Sequence, residues 1–142
     1  MEMKVTDIMT KGVYTVEEGT SLAEVLKIMA RHKISGLGVV DEFGDIQGVV
    51  SDSDIIDAFT TGKDIKNLSV RDIMMPFSIV TYPDEEISEA IRKMAENMIH
   101  RIFVVKEKKA EPRTLSKDIV LYPVGIISSS DIVRAVGEGI IE

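Results

Sequence analysis

The chain has 142 residues, 44% of them hydrophobic, with a formal net charge of −7 and no cysteine. That allows one compact domain or two small halves sharing a core, and it excludes disulfides, thiolate nucleophiles and cysteine metal sites. No apolar run approaches the length that spans a bilayer, and the net charge opposes non-specific binding to nucleic acid or to an anionic membrane.

At the start, Met1-Glu2-Met3-Lys4 lacks an apolar signal core, so the expected location is cytoplasmic. Val13-Tyr14-Thr15-Val16 is a short β-rich run closed by Glu17-Glu18-Gly19. Ser21 with Glu24 has capping-box spacing. Leu22, Val25, Leu26 and Met29 follow at helical spacing, which predicts a helix over 21–33 with one apolar stripe. Leu37 to Val40 and Ile46 to Val50 read as strands joined by the turn Asp41-Glu42-Phe43-Gly44-Asp45. A second helix is expected from Asp54 to Thr60, with Ile55, Ile56 and Phe59 inward and Gly62 near its end. Lys63 to Ser69 is a short polar linker.

The plan then recurs. Ile79-Val80-Thr81 is a strand stopped by Pro83, and Ile87, Ala90, Ile91, Met94 and Met98 form an apolar stripe. Ile102 to Val105 and Ile119 to Ile127 supply strands, and Asp131 to Val136 the last helix. Stripes of this kind exist to meet a sheet, so they read as core rather than as a cofactor box. Each half is β-α-β-β-α, and the expected class is α+β, with motifs at 1–66 and 67–142.

The halves are copies. Val5-Thr6-Asp7-Ile8-Met9 returns as Val70-Arg71-Asp72-Ile73-Met74, and residues 5–41 map onto 70–106 at a constant offset of 65. Gly48-Val49-Val50-Ser51-Asp52-Ser53-Asp54-Ile55 returns as Gly125-Ile126-Ile127-Ser128-Ser129-Ser130-Asp131-Ile132 at an offset of 77. The second copy therefore carries an insertion within 106–124, in a hairpin where extra residues are tolerated. Such a repeat is one supersecondary unit used twice.

The informative residues lie where the last strand of each half turns into its last helix. Ser51 and Asp54, and Ser128 and Asp131, stand three apart at a helix N-terminus. One reading is a capping box. The other is a ligand site: unpaired N–H groups and serine hydroxyls suit a phosphate, and an acceptor-only carboxylate one turn in takes both hydroxyls of a ribose. Spacing alone leaves both open.

With these motifs the chain resembles the cystathionine-β-synthase (CBS) domain family, as a tandem pair. The resemblance rests on Val-x-Asp-Ile-Met before each half, the helix ending near Met29 or Met94, the Val-Val strand, and the Gly-h-h-Ser-x-Ser-Asp-Ile elbow (h, apolar). It implies two motifs packed by pseudo-twofold symmetry through their sheets, leaving clefts that bind adenosine compounds such as AMP, ADP, ATP or S-adenosylmethionine. It implies ribose contacts from Ser51, Asp54, Ser128 and Asp131, and phosphate contacts from Ser53, Ser130, His100 and Arg101. Adenine would lie near Thr15, Val16, Ile34, Val80 and Ile99. It also implies a homodimer formed through helices.

The copies differ where charge matters. His100-Arg101 faces Ser35-Gly36 in the repeat alignment, and Arg134 faces Asp57. Arg134 joins the phosphate candidates, so the elbow at 128–131 is expected to hold the stronger phosphate ligand. Solvated surface charge is the competing reading for Arg101 and Arg134, and a polar helix face for His32.

Catalysis fares badly. There is no glycine-rich phosphate loop and no Ser-His-Asp arrangement, and an Asp52–Asp54 dyad would exist in one copy only, since Ser129 replaces Asp52. The expectation is a stand-alone sensor with no enzyme activity, no cofactor and no metal, signalling in trans to an unknown effector. The rival is an interaction or oligomerisation module whose clefts are vestigial.

Overall fold

The computed structural model describes residues 3–76, 79–109 and 119–139. The central part of the insertion, 110–118, lies outside them. The chain divides into two compact units, and both are discontinuous in sequence. One comprises Met1–Val13, Ser78–Glu107 and Pro123–Glu142; the other comprises Tyr14–Phe77 and Lys108–Tyr122.

In the second of these units, β2 (Thr15–Glu17) pairs in parallel with β3 (Gly36–Val40), and β3 runs antiparallel to β4 (Ile46–Ser51). Parallel neighbours need a crossover, which α2 (Leu22–His32) provides. Ser21 Oγ accepts the Glu24 N–H at 3.2 Å to start this helix, and Lys33 in the left-handed region (φ 54°) ends it. Leu22, Val25 and Met29 are buried as one stripe. The turn before β4 is built by Asp41, whose Oδ1 accepts the N–H groups of Phe43 and Asp45 at 2.9 and 3.0 Å. After β4 comes α3 (Asp52–Thr60).

The other unit repeats this with β6 (Val80–Thr81), α4 (Ile87–Glu96), most of β7 (Arg101–Lys109), the second half of β8 (Ile119–Ser128) and α5 (Ser129–Gly137), the remaining ends of β7 and β8 being counted with the unit that holds β2. β6 and β7 are parallel, and Met98 ends the helical segment in the left-handed region (φ 51°), as its repeat counterpart Lys33 does.

The Val-x-Asp-Ile-Met leaders explain why the units are discontinuous. The first leader forms α1 (Val5–Ile8) and β1 (Thr10–Lys11), and β1 pairs with β8 of the second copy. In the second leader, Val70–Asp72 is a 3-10 turn, and the following β5 (Met75–Pro76) pairs with β4 of the first copy. Each sheet thus has four strands, ordered β1-β8-β7-β6 and β2-β3-β4-β5. The cores follow suit. Val5 and Ile8 are buried among Ile87, Met94, Ile102 and Ile127, and Val70 among Leu22, Val25, Leu37 and Val50.

Three inward assignments, Ile56, Phe59 and Met98, do not hold. In α3 only Ile55 and Ala58 are buried, whereas Ile56 and Phe59 are 61% and 57% exposed. The helix meets its sheet along one narrow line, and Ile56 and Phe59 sit off it. Met98 is 87% exposed because α4 has already ended at Glu96.

Candidate functional site

Within each unit the start of the first strand, the start of the next strand and the strand-to-helix elbow come to one end of a sheet. Thr15 lies beside Gly38, and Gly36 is paired with Ser51. The Asp52 N–H donates to Ser35 O at 2.9 Å, tying the elbow to the approach of β3. The same bond ties Ser129 N–H to His100 O at 2.9 Å.

At the first elbow, Asp54 Oδ2 accepts the Ser51 backbone N–H at 2.8 Å and the Ser51 hydroxyl at 3.1 Å. Ser51 Oγ is 2.8 Å from Ser53 Oγ. At the second, Asp131 Oδ2 accepts the Ser128 N–H at 2.8 Å and its hydroxyl at 2.9 Å, while Ser128 Oγ lies 2.8 Å from Ser130 Oγ. The capping reading is therefore realised in both copies, and each helix N-terminus carries a carboxylate and two hydroxyls.

The elbows differ in one group. Arg134 donates to Asp131 Oδ1 at 2.9 Å, so both oxygens of that carboxylate are engaged, and the residue is only 6% exposed. Asp54 is half-buried, and its Oδ1 meets no partner among the described residues. Asp54 can accept a diol as it stands. Asp131 can do so only by loosening Arg134, an ion pair whose arginine is largely in water and contributes little.

The other candidates fall into place unevenly. Thr15 is exposed and Ile34 half-buried against the core, whereas the Val16 side chain is spent inside that core. Val80, Ile99 and Arg101 are half-buried and His100 is exposed. Ile99 and His100 also border a cavity of about 500 Å³ between α4 and α5, with Ile91, Met98, Ser129 and Val133. Among the described residues no group of His, Asp or Glu is placed to hold a metal ion. No helix there is long and apolar enough to cross a membrane.

Sequence reasoning passed over two arrangements. Tyr14 and His32 stack with ring centroids 4.2 Å apart, beside the start of β2. Lys93 Nζ donates to Val80 O at 2.9 Å and to both Glu85 carboxylate oxygens at 3.0 and 3.1 Å. The repeat held the signal for the second, because Lys93 stands where the first copy has Ile28.

A family model described as CBS domain matches residues 5–61 and 70–138. The chain is 33% identical to a homoserine O-acetyltransferase of Methanococcoides burtonii over 94% of its own length and 24% of the relative's. It spans about a quarter of the length of the first curated relatives it matches. Among solved structures, the CBS domain pair of protein MJ0100, in complex with 5-methylthioadenosine and S-adenosyl-L-methionine, is similar at a TM-score of 0.81 and 28% identity, covering 98% of this chain and 99% of that one. A hexameric CBS-CP12 protein from bloom-forming cyanobacteria is similar at a TM-score of 0.74 and 28% identity, covering 94% and 67%.

Proposed function

Because this chain belongs to the CBS domain family, matched along both of its copies, we propose that it is a regulatory module that binds an adenosine compound and reports it to an effector protein. The ligand is AMP, ADP, ATP or S-adenosylmethionine, held as a signal and not as a cofactor, and the module performs no catalysis. It acts in the cytoplasm, and the copies at 1–66 and 67–142 supply one elbow each.

The observation that carries this reading is the doubled elbow, in which a carboxylate and two hydroxyls ring each helix N-terminus. Ser51 with Asp54, and Ser128 with Asp131, grip the ribose hydroxyls. Ser53 and Ser130 meet phosphate with help from His100, Arg101 and Arg134. Thr15, Ile34, Val80 and Ile99 surround the base, while Val16, its side chain in the core and its backbone paired with β3, supports Thr15 from behind. The adenosine compounds named with the similar CBS pair support the ligand class. A ligand that prefers one conformation shifts the population toward it, and the effector reads that shift.

The exposed apolar residues of the last helices, Ile56, Phe59, Val133 and Val136, support a homodimer.

Thermal denaturation with a panel of adenosine compounds tests the reading. A ligand present at 100 times its Kd adds about 2.7 kcal/mol to stability, a rise of several degrees in Tm. If none of them moves Tm, the chain is an interaction module. That second reading is favoured by one observation: both carboxylates already cap their own helices.

A further inference from the structure

The hairpin that carries the insertion is bonded to the first copy at a single carboxylate among the described residues. β8 begins in the unit that holds β4 and ends, at the second elbow, in the other unit. Near its start the Leu121 N–H donates to Asp45 Oδ1 at 2.7 Å, across 76 positions of sequence. Asp45 immediately precedes β4, and β4 runs from Ile46 to Ser51 of the first elbow. One side chain therefore joins the roots of both elbow strands. At ordinary strand rise Ser51 lies about 20 Å from Asp45 along β4, and Ser128 about 23 Å from Leu121 along β8.

Both partners are held in place for this bond. The Asp45 N–H donates to Asp41 Oδ1 at 3.0 Å, and Asp45 O accepts the Asp41 N–H at 3.0 Å. Asp45 Oδ2 accepts Gln47 Nε2 at 3.2 Å, which leaves Oδ1 turned to Leu121. Beside Leu121, Val120 is 1% exposed, and the Lys108 ammonium lies 5.6 Å over the Tyr122 ring. Asp45 and Leu121 are half-buried, where an ionised acceptor makes a strong hydrogen bond. The second copy has its insertion where the first has this short turn, so the bond is no product of the repeat.

Each elbow carboxylate also holds the last residue of its strand, because Asp54 accepts the Ser51 N–H and Asp131 the Ser128 N–H. A ligand that draws either carboxylate toward itself resets the end of that strand. Ladder bonds keep a strand in register along its length, and rigid elements of this kind carry coupling between distant sites. With β4 and β8 joined at their roots, a setting imposed on one favours the matching setting in the other.

We infer that the inserted hairpin is a strap whose Leu121–Asp45 bond couples the two elbows, so that a ligand at one raises affinity at the other. This rests on the adenosine-binding function proposed above and goes beyond it in assigning regulation of both elbows to Asp45, a residue outside the candidate site.

The test titrates the whole chain with AMP, ADP, ATP and S-adenosylmethionine in turn, followed through the assigned Ser51 and Ser128 amides. Affinity at the first elbow is measured with the second elbow intact and with it disabled by Asp131→Ala. In the otherwise wild-type chain the intact second elbow makes the first bind about fivefold more tightly, an ordinary coupling. Asp45→Ala abolishes that gain and leaves the affinity measured in the Asp131→Ala background unchanged. Leu121→Pro does the same, since proline has no N–H and the one removed is given to Asp45. Asp45→Asn keeps an acceptor oxygen and keeps the gain. Melting curves establish that each variant is folded. No gain in the otherwise wild-type chain, or a response confined to one elbow, overturns this inference and leaves the adenosine reading standing. A gain that survives either Asp45→Ala or Leu121→Pro overturns it equally. If none of the four compounds perturbs the Ser51 or Ser128 amides, the adenosine reading itself falls, and this inference with it.

Discussion

A β-carbon built on Gly125 would stand 2.6 Å from the sulfur of Met9, and one on Gly48 would stand 2.8 Å from the sulfur of Met74. The methionine that closes each Val-x-Asp-Ile-Met leader is thus seated over a glycine three residues before the elbow serine of the other copy. Two motifs far apart in sequence recur together because they are the two sides of one contact.

That contact predicts unequal costs for two alanines. At Gly48 the nearest atom is the Met75 carbonyl oxygen at 2.7 Å, which belongs to the paired strand β5. At Gly125 the nearest atom ends a flexible side chain, with backbone at 3.1 Å. Gly48→Ala should destabilise by about 3 kcal/mol and Gly125→Ala by about 1 kcal/mol, the range for overpacking. Met9→Ala should recover part of the Gly125→Ala loss, whereas Met74→Ala should not rescue Gly48→Ala. Denaturant melts of the two double-mutant cycles measure this, and equal rescue at both sites would refute it.

The second prediction separates the elbows. Removing Arg134 frees Asp131 Oδ1, so Arg134→Ala should leave adenosine affinity at the second elbow unchanged or improved, while AMP and ATP bind more weakly there. Asp131→Ala removes a carboxylate that is itself buried and strands the half-buried Ser128 N–H, and should cost about 2 kcal/mol of stability. Asp54→Ala, in a more open place, should cost about 1 kcal/mol. Calorimetric titration with adenosine and AMP, beside thermal melts, reads all three. Parallel losses of adenosine and AMP in Arg134→Ala would remove Arg134 from the phosphate contacts.

How much of this was legible in the sequence depended on pattern length. The stripe Leu22, Val25, Leu26 and Met29 and the cap at Ser21 fixed α2 to within a residue or so, because four apolar positions and a start signal agree. β1 and β5 are two residues long and carry no alternation to read. A constant repeat offset says that segments are equivalent, and it is silent on which copy each one packs against. The capping and ligand readings of Ser51 and Asp54 use the same atoms, so spacing could not choose between them. Lys93 was hidden for the opposite reason, a charged residue filling an apolar repeat position where its role depends on Glu85 across a turn.

A third prediction comes from a mismatch between the copies. Thr81 is fully buried, and its hydroxyl has no hydrogen-bond partner among the described residues. The first copy places Val16 at the equivalent position, also in its core. An unsatisfied buried hydroxyl costs about 1–3 kcal/mol, and valine has the same shape without it. Thr81→Val should therefore raise stability by about 1 kcal/mol, seen as a higher Tm. A drop in Tm would mean that the hydroxyl is satisfied in solution, and a buried water would then be the group to look for.

The last prediction concerns acid. The Ser69 backbone N–H and hydroxyl donate to Asp72 Oδ2 at 2.8 and 3.2 Å, and together they hold the Asp72 carboxyl below its ordinary value. A carboxyl whose folded pKa is depressed contributes stability that is present above its unfolded pKa. That contribution is lost as pH falls through the folded value. Asp72→Asn should then lower stability at neutral pH by a small amount, since the site is open to water. The deficit should shrink as pH falls below the ordinary carboxylate range, where the wild-type side chain is itself neutral. Glu89, lowered by its bond to Arg92 on α4, gives the same sign in the other unit. Stability of wild type and Asp72→Asn measured from neutral to acid pH checks this, and a deficit that stays constant across that range would show that the carboxylate charge plays no part in holding the second leader.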